Sequence, residues 1–124
     1  MPQAIKSAIV FTVLKRDVEH DVGIRNKLRK PSEVARFTFR PGRDSFTVLL
    51  EGETHHSVDF KCDDHGITVF QNGQQKLHGA VTLSNDGECK LRTRRAGADA
   101  TEELSFWQFR KEALEDLFFF LAVR

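Results

Sequence analysis

The 124 residues include no tyrosine, one tryptophan, one methionine, three prolines and two cysteines. Cys62 and Cys89 can form a single bridge at most, which excludes a disulfide framework. Without a secretory signal, both are expected to be free thiols. No apolar run approaches the roughly 20 residues that a membrane helix needs. The greasiest stretches are Ala8 to Leu14 and Phe118 to Val123. The first follows Lys6 and has the look of a short signal-peptide core. It contains Thr12, however, runs straight into Lys15-Arg16-Asp17 and offers no small-residue cleavage site. A cytoplasmic protein is therefore expected. An excess of charge is also missing: 19 Lys plus Arg face 18 Asp plus Glu, a net charge of +1. That balance gives no whole-molecule attraction to nucleic acid or membrane. The glycines stand singly in turns, so there is no phosphate-cradling loop, and no repeat or low-complexity tract is visible.

What remains is ordinary globular usage, 40% hydrophobic and 30% charged. One domain over residues 1–124 is expected. A chain of this size buries about two thirds of its extended surface. Residues Ile5 to Leu14 are rich in β-branched side chains and favour a buried strand, although Ile5, Ala8, Ile9 and Val13 also fit helical spacing. Residues 15–33 are polar and end in Lys-Pro-Ser-Glu, read as a short helix or a long loop.

From Val34 onward the pattern has period two. Phe37 and Phe39 alternate with Arg36, Thr38 and Arg40; Phe46, Val48 and Leu50 follow; then His56, Val58, Phe60 and Cys62. Ile67 to Phe70 is a short strand, Leu77, Gly79, Val81 and Leu83 alternate, and Cys89, Leu91 and Thr93 finish the series. The turns between them are marked by Pro41-Gly42, Glu51-Gly52, Asp63-Asp64-His65-Gly66, Asn72-Gly73 and Asn85-Asp86-Gly87. Strands joined by short turns in this way make an antiparallel meander. Ala96 to Ala100 reads as a linker. Ser105-Phe106-Trp107-Gln108 then fits a capping box, with Leu104 and Phe109 as its hydrophobic staple, and predicts a helix over about 106–122.

The expected fold is α+β and mainly antiparallel: a six- or seven-stranded bent sheet or small barrel, packed against or capped by the C-terminal helix. As a count of elements this resembles the pleckstrin-homology layout, a seven-strand barrel with a terminal helix in which Trp107 is compatible. It also resembles the helix-grip layout, which places helices between the first strand and the rest. A third layout sets a curved four-stranded sheet against a helix, as in single-strand nucleic-acid binders. A resemblance of layout implies no activity and transfers no residues.

Charge is unevenly placed. Ile24 to Arg43 holds seven basic residues and one acidic one, whereas Asp44 to Asp64 holds six acidic residues and one basic one. If the alternate apolar positions face inward, Arg36, Arg40, Lys90, Arg92 and Arg94 face outward, and the segment with Arg25, Lys27, Arg29 and Lys30 adds four more charges. Such a surface suits phosphates, a lipid headgroup or an acidic protein segment. Only Phe70 reads as an exposed ring in the meander, too little for a base-stacking platform. The terminal Phe118, Phe119 and Phe120 span about 200° of helix, wider than one apolar stripe; a homodimer contact there is expected.

Catalysis and cofactors find thin support. Cys62-x-x-His65 lies near His55, His56, Asp63 and Asp64, but structural zinc needs four ligands and no second paired motif follows. No metal, cofactor or catalytic residue is assigned. The leading expectation is a non-enzymatic binding module engaging an anionic partner through a basic sheet face. The alternatives are a small-molecule-binding or enzymatic domain with an apolar pocket between sheet and helix, and a structural or adaptor subunit acting through its C-terminal helix.

Overall fold

A computed structural model describes residues 3–28, 36–51, 56–83 and 85–118. The chain opens with helix α1 (Gln3–Lys27). Seven strands follow: β1 (Phe37–Pro41), β2 (Ser45–Leu50), β3 (Ser57–Asp63), β4 (Gly66–Gln71), β5 (Gln74–Leu83), β6 (Cys89–Arg95) and β7 (Glu102–Leu104). Helix α2 (Phe106–Phe118) comes last. The strands form one antiparallel sheet in chain order, and β1 does not pair with β7, so the sheet stays open. Both helices pack on the same side of it.

The apolar segment near the start of the chain therefore corrects the sequence reading: Ile5 to Leu14 is helix, not strand. The reason is a periodicity that extends past the charged run. Ser7, Val10, Phe11, Leu14, Val18 and Val22 are all buried and recur every three or four residues, whereas Ile5 and Ile9 stay half exposed on the other side. One face of about four turns against a sheet outweighs the modest β-propensity of single residues. A leading helix and an open sheet also depart from both layouts the sequence resembles. The seventh strand is Glu102–Leu104, just after the expected linker, where Leu91 pairs with Leu104 and Thr93 with Glu102.

The meander follows its period. Phe46, Val48, Leu50, Val58, Phe60, Ile67, Val69, Leu77 and Leu91 are essentially sealed from solvent. At the centre, the Phe46 and Phe60 rings stack at 4.5 Å, with Phe11 of α1 and Phe39 of β1 at 5.1 and 5.5 Å from Phe46. The β4–β5 turn has Asn72 and Gly73 at φ 52° and 84°, as a two-residue hairpin requires. Gly79 occupies an inward position because α2 comes so close: a Cβ there would lie 2.8 Å from a carbon of the Phe109 ring.

The predicted capping box is present: Gln108 N donates to Ser105 Oγ at 3.1 Å, and Ser105 N to Gln108 Oε1 at 2.9 Å. Leu104 and Phe109 are buried beside it. Ion pairs fasten α2 at both sides. Arg110, largely buried, reaches Asp21 at 2.8 Å and Asp17 at 3.4 Å on α1. Arg95 of β6 binds Glu112 of α2 as well as Glu102, and the hydrogen bonds it donates to Glu112 hold its guanidinium proton more firmly than usual. A break in register between Val69 and Phe70 accompanies a further tie, Lys76 Nζ to Asp116 at 3.2 Å. Asn26, near the end of α1, pairs with the backbone of Phe37 through both halves of its amide, each at 2.9 Å.

Candidate functional site

Because the helices cover one face, every second strand residue points away from them. These outward positions hold Arg40, Lys61, Lys90, Arg92 and Arg94 against Asp59, Asp63 and Glu103. Each of the three carboxylates is already engaged. Asp59 accepts from the Thr47 hydroxyl. Asp63 Oδ1 accepts from His65 N and Gly66 N at 2.7 and 3.1 Å. Glu103 lies 3.9 Å from Arg92. Lys90 is 3.8 Å from Asp86. Arg40, Lys61 and Arg94 have no carboxylate partner among the described residues.

Register gathers part of this set into a row. Ser45 pairs with Lys61, Lys61 with Thr68, Thr68 with His78, and His78 with Arg94. At about 4.8 Å per strand, Lys61 and Arg94 stand about 14 Å apart along the row. Thr68 Oγ1 and His78 Nδ1 are hydrogen-bonded at 3.0 Å between them. Lys61 Nζ sits 4.9 Å above the Phe70 ring, which is the half-exposed outward ring the parity predicted. The row offers two cations, an imidazole and two hydroxyls to one ligand.

The sequence-predicted cations do not all meet here. Arg36 and Arg40 lie on the β1 side, with four strands separating them from Lys90, Arg92 and Arg94 on β6. That is a span of about 24 Å. Arg25 and Lys27 are in α1, not a loop, and so belong to the helix layer on the other side of the sheet. Arg25 is structural: its Nε donates to the Phe118 carbonyl at 3.0 Å, and its guanidinium lies 5.4 Å from the centre of the Phe37 ring. Arg29, Lys30, Phe119 and Phe120 lie outside the described residues. Lys61 and His78 were missed. Their outward parity was legible, but their alignment with Arg94 depends on register across three hairpins.

A groove of about 330 Å³ runs between α1 and α2. Ile24 and Leu28 form one wall, Trp107 and Phe118 the other, and Lys111 and Glu115 stand on its rim. Trp107 is 61% exposed and Leu28 73%. Beneath the sheet, by contrast, the rings around Phe46 fill the space where α1 crosses.

A second depression, at the end of the sheet where β1 meets β2 and β3 meets β4, is lined by Asp44, Cys62, Asp63, Asp64 and His65. Burial pushes the Cys62 thiol up from its ordinary value, and Asp63, Asp44 and Asp64 push it further. Cys62 is thus held as the poorly nucleophilic thiol. Among the described residues, no three His, Cys, Asp or Glu side chains gather to hold a metal ion. No helix among them is long and apolar enough to cross a membrane.

No protein-family model matches the chain, and neither a curated protein nor a solved structure is similar enough to it to count as a match.

Proposed function

We propose that the protein is a non-enzymatic binding module that holds an extended anionic partner across the open face of its sheet. The row Lys61, Thr68, His78 and Arg94 carries this reading: its two cations lack carboxylate partners, and its hydrogen-bonding groups stand between them. Arg40 and Arg92 stand in the rows on either side of it, Arg40 in line with Thr47 and Asp59, and Arg92 between Ala80 and Glu103. A partner laid along the row crosses the strands, so its negative charges meet side chains spaced about 4.8 Å apart. The cations supply affinity through counterion release, which makes binding fall with salt. The single half-covered ring of Phe70 contributes little stacking, so charge dominates over base recognition.

The test is binding of heparin and of a single-stranded oligonucleotide at two salt concentrations. Binding weakens with salt, and Lys61→Glu and Arg94→Glu each weaken it about tenfold or more and flatten the salt slope by about one contact each. Binding that is absent at low salt, or that ignores both substitutions, refutes the assignment.

A further inference from the structure

We infer that the groove between α1 and α2 is a self-association surface, closed by a second copy of the same chain in an antiparallel two-fold arrangement. The inference stands apart from the cationic face, which lies on the other side of the sheet. Along α2 the groove presents Trp107, Lys111, Glu115 and Phe118 in that order. The spacings of four, four and three residues put them on one stripe. The order is aromatic, cation, anion, aromatic, and it reads the same from either end once the charges are exchanged. A two-fold contact requires this kind of self-complementarity. An axis at the level of Ala113 carries position 111 onto position 115, so Lys111 of each copy meets Glu115 of the other. The same rotation brings Trp107 beside the partner's end of α2, where Phe118 lies.

The other charges of the groove are already committed inside the chain. Arg110 is held by Asp17 and Asp21, and Arg25 by the Phe118 carbonyl and the Phe37 ring. Among the described residues, Lys111 has only the exposed contact with its own Trp107 ring, at 5.6 Å, and Glu115 has no ion-pair partner. The charges left for a partner are therefore one of each sign. That favours a copy over a uniformly acidic or basic peptide, or over an anionic lipid surface. Ile24 and Leu28, 44% and 73% exposed, supply the apolar flank on α1.

The experiment is sedimentation analysis across the micromolar range. The wild-type chain associates to twice its mass as concentration rises. Lys111→Glu and Glu115→Lys each set like charges against one another and raise the dissociation constant about tenfold or more. An equimolar mixture of the two variants regains association, because every facing pair is then opposite in sign. Trp107→Ala, at an exposed position that leaves the charges in place, also weakens association about tenfold. Circular dichroism like that of the wild type confirms that the variants are folded. Three results each overturn the inference: a wild-type chain that stays monomeric, a dimer indifferent to both charge reversals, or a mixture that does not recover. A monomer that instead sediments with phosphatidylcholine vesicles assigns the groove to a lipid surface.

Discussion

The two faces of one sheet differ sharply, although they are built from the same strands. On the side of the helices, Phe46, Phe60, Ile67 and Leu91 are sealed, and charge enters at the margins, in matched pairs such as Arg95 with Glu112 or, for Arg25, against a carbonyl and a ring. On the other side, Arg40, Lys61 and Arg94 stand on three strands with no carboxylate partner among the described residues. Alternation alone separates a face that supplies cohesion from one that meets solvent. A charge is therefore tolerated wherever it points to water, and residues on the open face can change with little effect on folding.

The contrast can be broken most directly at the centre of the packed face. Phe46→Ala removes the ring that Phe11, Phe39 and Phe60 all touch, and it should cost about 3–5 kcal/mol in denaturant unfolding. A smaller effect of opposite sign sharpens the rule. Ser7 is buried in the packed layer, and its hydroxyl has no hydrogen-bond partner among the described residues. Ser7→Ala removes an unmatched group and improves helix propensity, so it should raise stability by about 1 kcal/mol. The smallest effect belongs to the open face: Arg94→Ala should change unfolding free energy by no more than about 0.5 kcal/mol. A large loss there would show that this face contributes to folding after all.

Much of this was legible in the sequence because local chemistry marked it. Asn72-Gly73 announced a turn with two positive φ angles, Ser105 and Gln108 announced a helix start, and period two sorted residues 37–95 into two faces. Other features were hidden by particular residues. The charged Lys15-Arg16-Asp17 interrupts the apolar pattern of α1, so Val18 and Val22 looked detached from a helix they complete. Strand β7 has three residues and only Leu104 buried, too little alternation to read. The cationic row depends on the pairing of four strands, with a shift at Val69/Phe70 that no local signal reveals. The structural role of Arg25 depends on Phe118, 93 positions away.

The pairing of Asn26 with Phe37 has a consequence for the sheet as a whole. An open sheet leaves two outer strands with unpaired backbone, a template for further strands from other molecules. One of them, β7, is only three residues long. The other ends in Pro41, which has no N–H to donate, and at its start both backbone groups of Phe37 are already occupied by a side chain. Asn26 thus acts as a one-residue imitation of a neighbouring strand, and it protects the protein from edge-to-edge aggregation.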